Sequence, residues 1–198
     1  MRIFVACQQS PHDYSIPAYH FWRVYFYEGL AEAGHIMEEG VGLDWARGLL
    51  DLEPTERARW RDETWTRTIA EVRRLREQGG IDVFLSYLFP NQIESAAVQT
   101  IRDLGIPCVN FFCDNVRDYP KLPSEFGVFD LHWVPEYAAQ RQYRERGWRF
   151  VHAPMPCWIP PNLRRSPDHE RPVVSFVGRR DPLRSRLLAV AVQADLPI

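Results

Sequence analysis

The chain opens on a short, uniformly apolar run, RIFVAC at 2–7, which predicts a strand buried on both faces. The polar loop QQSPHDYS follows it. Ser15 then stands as an N-cap, with Pro17 in the first turn of a helix over 17–33 that stops at Gly34. His35, Ile36 and Met37 begin a second, short strand, while 40–53 shows no period. From 54 to 78 a long helix is predicted, with Trp60, Trp65, Ile69, Val72 and Leu75 as its buried stripe and Gly79-Gly80 as its end.

Beyond residue 80 strands and helices alternate. IDVFLSYL (81–88) reads as a strand, 91–104 as a helix capped by Asn91 and closed at Gly105, and IPCVNFF (106–112) as the next strand. After a loop over 113–127 come the strand VFDLHWV (128–134), a helix over 136–146 closing at Gly147, and the strand WRFVHA (148–153). Repeated β–α units with apolar strands require a parallel sheet covered by helices on both faces, so the fold class is α/β, a Rossmann-like doubly wound parallel sheet. Residues 156–171 are proline-rich and aperiodic, the signature of a stiff linker. PVVSFVG (172–178) is a further strand, and Asp181-Pro182 opens a helix reaching about 194. The expected organisation is a domain over 1–155, a linker over 156–171, and the first β–α unit of a second, incomplete domain over 172–198.

Composition narrows the class of ligand. With 198 residues, 24 basic and 26 acidic side chains, the net charge is −2. Collagen-like, coiled-coil and disordered chains are excluded, and a near-neutral surface argues against nucleic acid as a partner. No apolar run approaches the ~20 residues of a membrane span, and MRIFVACQQS lacks a secretory h-region, so a cytoplasmic protein is expected. Lys121 is the one lysine; the arginine excess reads as coding bias. Cys7, Cys108, Cys113 and Cys157 form no C-x-x-C pair and read as packing residues rather than metal ligands. Trp22, Trp45, Trp60 and Trp65 likewise read as core rather than as platforms for sugar rings.

In doubly wound sheets, ligands bind outside the carboxyl ends of the strands. After the first strand, Gln8, Gln9 and His12 suit a hydroxyl-rich ligand or, equally, a loop hydrogen-bonded to itself. No glycine precedes Gly29, so the dinucleotide fingerprint G-x-G-x-x-G is absent. Asn91 and Gln92 follow the third strand; Asn91 is most simply a helix cap, and Gln92 could face the cleft. Asp114 and Asn115 follow the strand at 106–112. A carboxylate there stands where a general base should stand, or else caps the next turn. His132 and His152 each fit either an interior histidine or a site residue. Gly178, Arg179 and Arg180 sit between a strand and a helix start, where close approach, open N–H groups and guanidinium charge suit a diphosphate.

Five stretches, DVFLSYLFPNQ, IPCVNFFCDNVRDYP, FDLHWVPE, APMPCW and FVGRRDPLRSRLL, give the sequence over most of 80–198 a likeness to known enzymes. It resembles GT-B glycosyltransferases, especially the spore-maturation (CgeB-like) and related bacterial ones. The resemblance implies two Rossmann-like domains facing a cleft, the N-terminal one on the acceptor side and the C-terminal one on the donor side. It makes this chain the N-terminal half, with Asp114 as the cleft carboxylate and Arg179 on the donor diphosphate. It implies a nucleotide-sugar donor, a glycan, protein or lipid acceptor, and no metal or other cofactor. Gln8-Gln9 departs from the family, whose first loop is glycine-rich, and the late E-x(7)-E region has no counterpart in these residues. The expectation that follows is a glycosyltransferase portion that turns over no sugar nucleotide alone. The rival expectation is a non-catalytic Rossmann-like binding module, with 172–177 joining the first sheet and Asp114 a buried cap. A hydrolase or epimerase lacks support, because neither G-x-S-x-G nor H-E-x-x-H occurs.

Overall fold

Among the described residues the apolar runs form six short strands: β1 (Arg2–Ala6), β2 (Ile36–Glu38), β3 (Val83–Ser86), β4 (Cys108–Phe111), β5 (Leu131–Trp133) and β6 (Phe150–Val151). They come from a computed structural model that describes residues 1–15, 19–164 and 182–194. All neighbours pair in parallel, in the order β2-β1-β3-β4-β5-β6. Parallel neighbours need crossover connections, and these are α1 (Tyr19–Glu32), α2 (Pro54–Glu77), α3 (Ser95–Asp103), α4 (Asn115–Asp118) and α5 (Gln140–Glu145). The sheet is therefore the Rossmann-like, doubly wound one that the alternation predicts.

Side-chain alternation assigns each helix its face. Phe4 stacks on its register partner Phe84 at 5.6 Å, and Trp65 of α2 covers Phe84 at 6.0 Å. Phe111 and its register partner Trp133 point the other way and meet Trp22 and Phe26 of α1, at 5.4 Å for Trp22–Phe111 and 6.0 Å for Phe26–Trp133. The four tryptophans read as core, Trp22, Trp45, Trp60 and Trp65, are all buried. The helices stop where glycines adopt the left-handed conformation, as at Gly34 (φ 83°) and Gly105 (φ 81°).

Four local readings change. Asn91 does not cap a helix. Pro90 opens a 3-10 turn (Pro90–Gln92), Gln92 is drawn to Phe89 and Trp65, and α3 begins only at Ser95 with Glu94 as its flanking residue. The loop over 113–127 contains α4 and the start of a second 3-10 turn, Ser124–Val128. The helix expected over 136–146 is a 3-10 turn at Tyr137–Ala139 followed by α5. The irregular 40–53 contains the 3-10 turn Ala46–Leu49.

The chain divides into two compact units, Met1–Trp158 and Ile159–Ile198. The second contains a 3-10 turn at Pro161–Leu163 and a helix, α6, at Pro182–Gln193. The helix start expected at Pro17, the strand at 172–178 and the residues 195–198 lie outside the described residues. No helix among the described residues is long and apolar enough to cross a membrane.

One side chain ties the first two strands to the end of α2. Arg2 Nε donates to Glu38 Oε1 at 2.8 Å, and its Nη1 donates to the carbonyls of Gln78 (3.2 Å), Gly80 (3.4 Å) and Leu75 (3.5 Å). A cation over the carbonyl end of a helix answers its partial negative charge. Arg2→Met keeps the packing of the stem and removes these bonds. It should lower unfolding stability by about 1–3 kcal/mol in urea titration, and an unchanged midpoint would refute the role.

Candidate functional site

The strand order reverses direction between β1 and β3, which places the switch point of the sheet above their carboxyl ends. The loops that meet there carry most of the residues singled out in the sequence. Gln8, immediately beyond β1, is buried and adopts a left-handed φ of 48°. That conformation is uncommon for a residue with a side chain, and it turns the chain sharply off the strand. Gln9 folds back on the strand end: its Nε2 donates to Val5 O (2.8 Å) and its Oε1 accepts from Cys7 N–H (2.6 Å). Its carbonyl accepts from Trp45 N–H at 2.8 Å. An amide thus closes the backbone where a dinucleotide-binding turn would leave N–H groups open. His12 is exposed, with its ring 6.0 Å from Tyr14, whose hydroxyl donates to Asp44 Oδ2 at 2.7 Å.

Beyond β3, Gln92 is fully enclosed. Its Oε1 accepts from Phe89 N–H and its Nε2 donates to Trp45 O, both at 2.8 Å, so it fastens two loops together. Asn91 beside it is exposed. Beyond β4, Asn115 is enclosed as well: Nδ2 donates to Phe112 O and Oδ1 accepts from Tyr143 Oη–H, each at 2.8 Å. Its backbone N–H is held by Glu136 Oε2 at 2.6 Å, and Val116 N–H reaches Glu136 Oε1 at 3.4 Å. Glu136 therefore caps α4, a task that the side chain of Asp114 does not perform.

Asp114 is half-buried at the carboxyl edge, one residue ahead of this clamp, and its Oδ2 lies 3.7 Å from Cys113 Sγ. The same sulfur is 3.5 Å from the Tyr87 hydroxyl. Burial, with the nearby Asp114 carboxylate, pushes the Cys113 thiol up to about 12, so it stays protonated and is no nucleophile at neutral pH. Burial beside Cys113 likewise raises the Tyr87 phenol. At this edge the Asp114 carboxylate lies beside the un-ionised Cys113 thiol, which in turn meets the Tyr87 phenol. Glu136 was not singled out in the sequence, although its place, just past an apolar strand, parallels that of Asp114.

His132 lies elsewhere. It points from β5 into the core, between Tyr143 (4.9 Å) and the stacked Trp148 ring (5.5 Å), and is 1% exposed. Neither ring nitrogen has a hydrogen-bond partner among the described residues, and neither does Nδ2 of Asn110, its register partner on β4. Oδ1 of Asn110 accepts from Ser86 Oγ on β3 at 3.0 Å. Burial lowers the His132 pKa to about 4. His152 Nδ1–H donates to Val134 O (2.9 Å), at the rim beside the 80%-exposed Tyr137. Gly178, Arg179 and Arg180 lie outside the described residues.

No family model and no curated protein matches the sequence. Among solved structures, the apo form of UGT2 from Phytolacca americana is similar, with a TM-score of 0.51 and 12% identity. The match covers 82% of this chain and 54% of that one, so the chain spans about half the length of the protein it resembles. At that identity the likeness is one of fold: a six-stranded, all-parallel, Rossmann-like sheet matching a GT-B domain.

The buried imidazole sets a pH dependence. Unfolded, His132 takes up its proton near 6.5; folded, it does so only near 4. Between those values the unfolded chain binds more protons, so stability is lost as pH falls. The loss from His132 should be about 2 kcal/mol between pH 7 and pH 5. Urea titrations at both pH values should show it in the wild type and not in His132→Leu; an equal loss in both would exclude the histidine as its source.

Proposed function

We propose that the chain carries the acceptor side of a glycosyltransferase together with the first diphosphate-binding residues of its donor side, and that the enzyme moves a sugar from a nucleotide-sugar donor to an acceptor hydroxyl. The observation that carries the proposal is the parallel sheet of order β2-β1-β3-β4-β5-β6, similar over 82% of the chain to UGT2 of Phytolacca americana. The motifs at 82–92, 106–120 and 176–188 support the narrower affiliation with the CgeB-like enzymes.

The chemistry needs two groups. A base must take the proton of the acceptor hydroxyl as its oxygen attacks the anomeric carbon. A positive field must meet the charge that grows on the diphosphate as the glycosidic C–O bond breaks. Asp114 has the position for the first if transfer inverts the anomeric centre, and the clamp on Asn115 and Val116 holds the turn beside it. Arg179, with Gly178 and Arg180 beside it in the sequence, has the chemistry for the second. Gln8, Gln9 and His12 shape the loop beside the switch point.

Calorimetric titration with UDP-, GDP- and TDP-sugars tests this assignment. One nucleotide class should bind, Arg179→Ala should weaken it by about tenfold, and Asp114→Asn should leave its affinity unchanged. Binding of none of the three to the folded chain, or binding indifferent to Arg179, would overturn the proposal.

A further inference from the structure

A groove of about 370 Å³ runs between the loop after β2 and the turn after β3, next to the switch point of the sheet. Its lining includes Leu49, Leu50 and Asp51 on one side, Phe89 and Asn91 on the other, and Arg57 at one end. Both walls are pinned. On the first, Arg57 donates from Nη1 to Gly48 O (2.9 Å) and from Nη2 to Leu50 O (3.0 Å), while Trp60 Nε1 donates to Asp44 O (2.8 Å). On the second, Gln92 Oε1 accepts from Phe89 N–H, the Gln92 carbonyl accepts from Trp65 Nε1, and the Phe89 ring packs on Phe112 at 5.3 Å. Gln92 Nε2 reaches across to Trp45 O and joins the walls. A Cβ at Gly48 would run into the Trp60 ring and come within 2.8 Å of Gln92 Nε2, so only glycine allows this approach.

The chemistry of the lining selects a ligand. Phe89, Leu49 and Leu50 are half-buried and present apolar surface, whereas Asp51 and Asn91 are exposed polar groups. The cation of the groove, Arg57, has both terminal nitrogens engaged by carbonyls. An anionic ligand would therefore meet the Asp51 carboxylate, while the Arg57 guanidinium is turned to the Gly48 and Leu50 carbonyls rather than presented as an open fork. We propose that this groove binds a neutral, hydroxylated ring, its apolar face on Phe89 and the leucines and its hydroxyls on Asp51 and Asn91. Fixed walls favour such binding, because little ordering is left to be done when the ligand arrives. The proposal does not depend on the transferase assignment; under that assignment, the groove would seat the ring that carries the accepting hydroxyl.

Nuclear magnetic resonance titration of the 198-residue chain tests it with methyl glucopyranoside and catechol, which separate a sugar ring from a phenolic one, and with glucose 6-phosphate as the charged control. At least one neutral ring should shift the side-chain amide of Asn91 and the resonances of Phe89, with glucose 6-phosphate at least about fivefold weaker than the tighter of the two neutral rings. Asp51→Lys and Asn91→Leu, both at exposed positions, should weaken the neutral ring by about tenfold without lowering the melting temperature. The proposal is overturned if neither ring shifts these resonances, if both variants bind as the wild type does, or if the phosphorylated sugar binds more tightly than the tighter neutral ring. The nucleotide-sugar titration with Arg179→Ala reports on the transferase assignment separately.

Discussion

A parallel strand cannot be followed at once by its neighbour; the chain must climb back over the sheet before it pairs again. All six carboxyl ends therefore collect along one edge, and every loop leaving that edge starts with backbone groups that the sheet no longer satisfies. That constraint organises the molecule. It fixes where the switch point lies, which residues face it, and which polar side chains must be committed to closing the strand ends before any can serve a ligand.

Three carboxamides perform that closure, one beyond each of the strands β1, β3 and β4. Gln9 bridges Val5 O and Cys7 N–H, Gln92 bridges Trp45 O and Phe89 N–H, and Asn115 links Phe112 O to the Tyr143 hydroxyl. A carboxamide offers a donor and an acceptor in one plane, as a peptide group does, so it can stand in for the missing strand neighbour. A carboxylate offers acceptors only. Glu136 can hold two N–H groups of α4, but neither it nor Asp114 can satisfy a carbonyl. These three amides are thus drawn inward at this edge, while Asp114, Asp51, His12 and the amide of Asn91 remain at or near its surface.

This sorting explains what was legible in the sequence. Uniform apolar runs such as RIFVA and VFLS give the strands, and helix-ending glycines such as Gly34 and Gly105 give the β–α rhythm, because both signals are local. The side chain of Gln9 closes on near neighbours, Val5 and Cys7, but the roles of Gln92 and Asn115 are not local. The partner of Gln92 is Trp45, 47 residues away, and that of Asn115 is Tyr143, 28 residues away. A polar residue after a strand looks the same in sequence whether it faces a cleft or bolts a loop. His132 hides for a different reason: an apolar strand tolerates one imidazole when rings stack on it, and the stacking partners Tyr143 and Trp148 come from the following α-β unit.

Rigidity at this edge is unevenly distributed, and that bears on binding. Phe89, Phe112, Phe126 and Tyr119 form a chain of ring contacts beneath the turn after β3, at 5.3 Å for Phe89–Phe112 and 5.1 Å for Phe112–Phe126. Tyr87 extends the same network to Trp22 on α1, so a helix joins in bracing that turn. Side chains locked this way lose no rotamer freedom when a ligand lands on them, whereas an exposed ring such as Tyr137 would have to be ordered first. Between two aromatic surfaces at the same edge, the braced one converts contact into affinity more completely. A ring ligand should therefore be held at Phe89, with the rim at Tyr137 contributing only where a larger ligand reaches it.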